Sequence, residues 1–120
     1  LAERDALPQA ADKLLDMDGV ETVIVFGYDA ETIYVSGRTR GSAVDLGETL
    51  REAFDQVGSA GGHATMAGAQ VPMGVLDAVE DWETLSVVVH DTIAGRFFEA
   101  LDTAPEPGQY GHPLVRFPPE

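Results

Sequence analysis

The sequence predicts an α+β domain: a small mixed β-sheet containing a β-hairpin, packed by about three helices. Three observations carry that expectation. Apolar residues recur at intervals of three and four in three separate stretches, two β-branched and aromatic runs enclose a four-residue turn, and a small-residue segment ends on a proline.

The first helical stretch holds Ala6, Leu7, Ala10, Ala11, Leu14 and Leu15 on one face, and Gly19 ends it. Val20 to Phe26 then reads as a strand, Tyr28-Asp29-Ala30-Glu31 as a turn, and Thr32 to Ser36 as a second strand, so the short connection makes a hairpin. Ser42-Ala43-Val44-Asp45 has the serine-to-acid spacing of a capping box. Leu46, Leu50, Ala53, Phe54 and Val57 follow at helical intervals, which predicts a helix over about 43–57. The segment from Gly58 to Gly74 is rich in small residues; its second half, Ala64 to Val71, reads as a strand that Pro72 ends.

From Asp81 the residues Leu85, Val88, Val89, Ile93, Phe97 and Leu101 keep helical spacing, predicting one helix to about 101. Val87-Val88-Val89 could instead open a strand, because a short apolar run serves either period. Prolines 105, 107, 113, 118 and 119 forbid a regular helix in the tail, where Leu114 to Phe117 could add an edge strand. The division expected is therefore a domain over 1–104 and a proline-rich tail over 105–120.

A chain of 120 residues suits one compact core. It opens on Leu1, which is the expectation for a piece of a longer gene product. Seven Lys and Arg face 21 Asp and Glu, a net charge of −14 that repels long nucleic acids and membrane phosphates unless a local patch reverses the field. Lys13 is the lone lysine, and dispersed acid with arginine as the main cation resembles the surface of halophile proteins, although an acidic mesophile protein has the same chemistry. The absence of cysteine excludes disulfides and thiolate metal sites. No apolar run approaches the ~18–20 residues of a membrane span, so no membrane partner is expected and the cytoplasm is the default address.

In so acidic a chain the informative places are those without acid. No carboxylate lies between Thr32 and Val44, where Ser36-Gly37-Arg38-Thr39-Arg40-Gly41-Ser42 carries two arginines; none lies between Gln56 and Leu76, which holds His63. The first window joins a strand to a capped helix, where outward N–H groups and the helix dipole favour an anion, and guanidinium groups could grip phosphate oxygens. The alternative is a solvated loop whose arginines pair with surface acids. In the second window Gly61-Gly62-His63 could let backbone approach a ligand while the imidazole donates a hydrogen bond; the alternative is a tight turn with a satisfied histidine. Nothing at metal-ligand spacing, no glycine loop with lysine and no marked nucleophile is present, so no catalytic residue is assigned and no cofactor is expected in this chain.

Ser36-Gly37-Arg38-Thr39, a helix beginning near Val44-Asp45-Leu46, then Gly61-Gly62-His63 and Met66-Ala67-Gly68-Ala69 together resemble the C-terminal DHH-associated domain of DHH phosphoesterases. That family includes RecJ-like exonucleases, nano-RNases, cyclic-dinucleotide phosphodiesterases and exopolyphosphatase-related proteins. Its usual pattern is three glycines before the histidine, then two alanines and a glycine; here Ala60 takes the first glycine place, Met66 the first alanine place, and Thr39 the place of a serine. The resemblance implies that Ser36, Arg38, Thr39, Arg40, Gly61, Gly62 and His63 face the phosphate or terminal nucleotide of a substrate. Across the cleft, relatives carry a catalytic domain with an Asp-His-His motif and manganese. This chain has no Asp-His-His, so hydrolysis would fall to an upstream domain.

The function expected is substrate binding for a metal-dependent phosphoesterase acting on short oligonucleotides, cyclic dinucleotides or polyphosphate. Two alternatives stay open: a nucleic-acid-binding domain of the alanyl-tRNA synthetase C-terminal type, which needs a basic face, and a ligand-free module that forms a homodimer through an exposed strand edge.

Overall fold

The computed structural model describes residues 2–41 and 43–101, with side chains from residue 7 onward. Helix α1 (Ala2–Leu15) leads through a turn into strands β1 (Thr22–Tyr28) and β2 (Thr32–Thr39). Helix α2 (Leu46–Phe54) follows, then strands β3 (Ser59–Gly62) and β4 (Met66–Pro72), a short 3₁₀ turn at Gly74–Ala78, and helix α3 (Trp82–Ala100). The α+β class, the hairpin and the three helices stand as the sequence predicts. The sheet, expected to be mixed, is antiparallel at every pairing, in the order β1-β2-β4-β3. The physical reason is that it consists of two hairpins joined by α2, with the second inserting β4 beside β2.

Both hairpins have local causes. In the first, the Asp29 carboxylate accepts hydrogen bonds from the N–H groups of Glu31 and Thr32 at 2.8 and 2.9 Å, the self-contained turn that aspartate favours. Tyr28 consequently faces Ile33 and the register runs to Thr22 against Thr39. In the second, the expectation of a strand over Ala64 to Val71 captured β4 but not β3. Ser59–Gly62 pairs with Gln70–Ala67 as a glycine-rich edge strand, held by backbone bonds rather than by side chains. Glycine is required there by close approach: a Cβ on Gly58 would lie 2.1 Å from the Gln70 carbonyl oxygen.

Three further expectations shift. Strand β2 runs past Ser36 to Thr39, so Arg38 stands on a strand and not in a loop. Helix α2 is shorter than 43–57, and its cap is Asp45, whose carboxylate accepts from the Glu48 N–H at 3.1 Å. The cap therefore lies three residues beyond the expected Ser42, which is outside the described residues. The valines at 87–89 belong to α3, which begins at a second capping aspartate, Asp81. The Leu114 to Phe117 strand and the tail over 105–120 lie outside the described residues.

The layers follow from strand alternation. One sheet face, with Ile33, Val35, Ala67, Ala69 and Val71, packs against Leu46, Leu50 and Phe54 of α2 and Val89, Ile93 and Phe97 of α3. Tyr28 reaches α3 through a 2.8 Å hydrogen bond to Ser86 Oγ. On the other face Leu7 and Ala11 of α1 bury Val23 and Val25. Helix α1 packs on β1 and β2, and beyond it, among the described residues, the β4–β3 half of that face is left open.

Candidate functional site

The open half-face forms a groove of about 670 Å³. Strand alternation predicts its lining: Tyr34, Ser36 and Arg38 from β2, Met66, Gly68 and Gln70 from β4, and Ser59 and Gly61 from β3, with Leu7 and Pro8 of α1 as the near wall. Ser36, Gly68 and Gly61 stand opposite one another across three strands, and Arg38 stands opposite Met66. The arginine-bearing stretch and the glycine stretch therefore meet, and the Thr39 N–H donates to the Thr65 carbonyl at 3.0 Å.

The sequence-nominated residues divide into two sets. Ser36, Arg38 and Gly61 line the groove. Thr39 does not; it is buried, its hydroxyl donating to the Glu21 carbonyl at 3.0 Å and lying 2.8 Å from Thr22 Oγ1. Arg40 is exposed just past the strand, its N–H bonded to Glu21 O at 2.9 Å. Gly62 is structural: its φ of 138° suits glycine, and a Cβ would stand 2.5 Å from Ala67 Cα and Met66 O. His63 is exposed and is held by its backbone, with its N–H on Met66 O at 2.7 Å.

The helix N-terminus is not available to an anion. The Leu46 and Gly47 N–H groups donate to Ala64 O and His63 O at 2.9 and 3.0 Å, Glu48 N–H to the Asp45 carboxylate, and Thr49 N–H to Asp45 O. Gly47 permits this docking, since a Cβ there would sit 2.9 Å from Gly62 O. The small-residue bend itself fills the dipole site that the sequence suggested for phosphate, and an Asp occupies what remains. What persists is the guanidinium. Arg38 is 16% exposed, and its Nε donates to Asp12 Oδ1 of α1 at 2.7 Å, while Asp12 is 61% exposed. Among the described residues its two terminal nitrogens have no partner, so four N–H donors remain for a ligand.

The sequence reading missed Ser59, Gly68, Gln70 and Asp12 as site residues. Period-two counting along β4 from Met66 identifies Gly68 and Gln70 once the strand's exposed face is known. Nothing local connects Asp12 to Arg38, 26 positions away.

Comparison with known proteins agrees with this architecture. The DHHA1 domain model matches residues 1–93, and the chain belongs to that family. The uncharacterized protein MJ1633 of Methanocaldococcus jannaschii is 42% identical over 101 residues, 84% of this chain and 20% of that protein, so the chain spans about a fifth of this relative's length. Among solved structures, the C-Ala domain of Aquifex aeolicus alanyl-tRNA synthetase aligns with a TM-score of 0.51 at 18% identity, covering 78% of this chain and 83% of that one, and shares the fold.

Proposed function

We propose that this domain holds the phosphate of a short substrate, an oligonucleotide, cyclic dinucleotide or polyphosphate, for a metal-dependent DHH phosphoesterase domain elsewhere in the full-length protein. The observation that carries the reading is Arg38: a guanidinium anchored through one nitrogen at the wall of an open groove, with its terminal nitrogens unengaged among the described residues. Phosphate binds such a fork through paired charged hydrogen bonds. The chain's charge of −14 disfavours long duplexes, and a short ligand that touches only the groove escapes most of that field.

Manganese belongs in this reading to the partner domain, where it would generate the attacking hydroxide. The described residues do not fit it, for no three metal-ligating side chains cluster among them. This domain's task is grip and orientation. RNA binding of the alanyl-tRNA synthetase C-terminal type draws on the shared fold, yet a large RNA needs a basic face. Twenty-one Asp and Glu face seven Lys and Arg along the chain, and the Arg96 Nε is spent on Ala53 O at 2.6 Å.

Calorimetric titration with a 5′-phosphorylated dinucleotide tests the proposal. Arg38→Ala is expected to weaken binding by about 1.5–3 kcal/mol, the worth of a hydrogen bond to a charged group. Equal affinity of the two proteins at matched salt removes Arg38 from the site.

A further inference from the structure

We infer that strand β1 is a self-association edge: two copies of this chain pair through it, antiparallel and about a two-fold axis at Val25, joining their sheets into one. The inference is independent of the phosphate reading, whose groove β1 does not line.

The edge itself is the first observation. The sheet ends in β1 on one side and β3 on the other. Strand β3 is four residues of small side chains, the short kind of edge that offers little to a neighbour. Strand β1 is seven residues, Thr-Val-Ile-Val-Phe-Gly-Tyr, with neither a charge nor a proline. Soluble proteins ordinarily blunt such an edge with lysine, proline or a bulge. No bulge interrupts this one, since all seven residues pair in unbroken register with β2.

The hydrogen bonds at the two ends show which groups face out. The Arg40 N–H reaches Glu21 O at 2.9 Å, and the Asp29 N–H reaches Thr32 O at 3.0 Å. Alternation between these two bonded pairs gives Val23, Val25 and Gly27 the ladder bonds to β2. Thr22, Ile24, Phe26 and Tyr28 therefore turn their N–H and C=O groups away from the sheet, and no hydrogen bond from another described element reaches them.

A second copy complements this edge. An axis at Val25 sets Thr22 against the partner's Tyr28 and Ile24 against the partner's Phe26, so outward residues meet outward residues along the whole strand. Ile24 and Phe26, both partly buried on the α3 face, then form two β-branched–aromatic cross-strand pairs.

The helical layers fit the same arrangement. Helix α1 lies across β1 and β2, so with strands about 4.8 Å apart the two α1 axes come to about 10 Å, the upper end of ordinary helix packing. Pro8 and Asp12 occupy the groove flank of α1, which leaves the small Ala10 on the flank above the β1 edge. On the other face Ser86 and His90 of α3 reach Tyr28 and Phe26. Val87 and Ala94 share that flank by helical spacing, and Val87 is 53% exposed.

The size and charge of the contact predict its strength. A strand of about 23 Å in a helix–sheet–helix slab about 25–30 Å thick presents about 600–700 Å². Two copies bury about 1,200–1,400 Å², the lower end of specific interfaces. Each copy carries −14, and the axis sets Glu21 opposite the partner's Asp29, so the dimer is reversible and salt tightens it.

The test combines sedimentation equilibrium of this chain with amide hydrogen exchange read by NMR, in about 1 M salt, where the screening length is about 3 Å. The average mass should rise with concentration from 12.8 kDa toward twice that value, with a Kd in the micromolar range that weakens at least about 10-fold in about 0.1 M salt. Exchange at the Ile24 and Phe26 amides should slow as concentration rises, while the Val23 and Val25 amides are protected throughout. Ile24→Pro removes an outward N–H, where an edge strand accepts proline, and should weaken association at least about 10-fold with Val23 and Val25 still protected. Should that variant fail to fold, the concentration dependence of exchange in wild type decides alone. A monomer across the micromolar range, a dimer that Ile24→Pro leaves intact, or Ile24 and Phe26 amides that exchange independently of concentration overturns the inference. Protection of those amides in a monomer overturns it too, by assigning the edge to another part of the same chain.

Discussion

Two adjacent glycines in β3 separate what the fold needs from what the site needs. At Gly62 the backbone has φ 138°, and a Cβ would stand 2.5 Å from both Ala67 Cα and Met66 O, atoms of the paired strand that cannot swing aside. Gly62→Ala therefore costs at least the ~1–3 kcal/mol of a side chain in that backbone region, before any displacement of β4. At Gly61 the backbone is unstrained and a Cβ enters open space. Gly61→Ala should stabilise the domain by about 0.4–1 kcal/mol, by restricting the unfolded chain. For a domain of this size about 4–8 °C accompanies each kcal/mol, so melting should rise by about 2–8 °C in the one variant and fall by about 4 °C or more in the other. The larger Gly61→Val places a β-favouring side chain on the groove floor. It should melt no lower than wild type and yet lose affinity for a phosphorylated dinucleotide. Thermal melts with calorimetry decide the matter. Equal destabilisation by alanine at 61 and 62 refutes the division of roles, as does a Gly61→Val protein that binds normally.

Two further predictions concern the acids. Asp12→Asn should leave stability within about 1 kcal/mol, since Asp12 is 61% exposed and surface ion pairs contribute little. It should tighten phosphate-ester binding by removing a carboxylate that competes for Arg38; weaker binding in calorimetry would instead make Asp12 the group that orients the guanidinium. In the Asp29 turn, desolvation pushes the carboxyl up, but hydrogen bonds from the Glu31 and Thr32 N–H groups and the Tyr34 hydroxyl outweigh it and hold the pKa below its ordinary 3.8. A depressed native pKa contributes stability that is fully present above 3.8 and is lost as pH falls through the native value. The melting-temperature gap between wild type and Asp29→Asn should accordingly be widest near neutral pH and close in strong acid; a gap independent of pH contradicts this account.

Local chemistry was legible in the chain. The turn at Asp29, the amphipathic spacing of α1, α2 and α3, and the break at Pro72 each depend on residues within a few positions of one another, where steric and hydrogen-bonding preferences act without help from the rest of the fold. The family resemblance likewise pointed to Ser36, Arg38 and Gly61, which do line one groove. The boundary of β2 was not legible, because Gly37-Arg38-Thr39 looks like a loop until Val23 and Thr22 pair with Arg38 and Thr39. Nor was β3, whose glycines carry no strand preference and acquire one from the edge of β4.

The sequence by itself therefore determined which segments become helix, where the first hairpin turns, the acidic exterior, and the two acid-free stretches that border the groove. Only the tertiary structure decided what those stretches do. It filled the α2 N-terminus with the carbonyls of His63 and Ala64, turned Thr39 into the sheet, and brought Asp12 against Arg38. The physical reason is range. Propensity and turn chemistry are set over one to four residues, whereas the satisfaction of a backbone donor or of a guanidinium depends on whichever distant group packing delivers to it, and only the folded chain specifies that group.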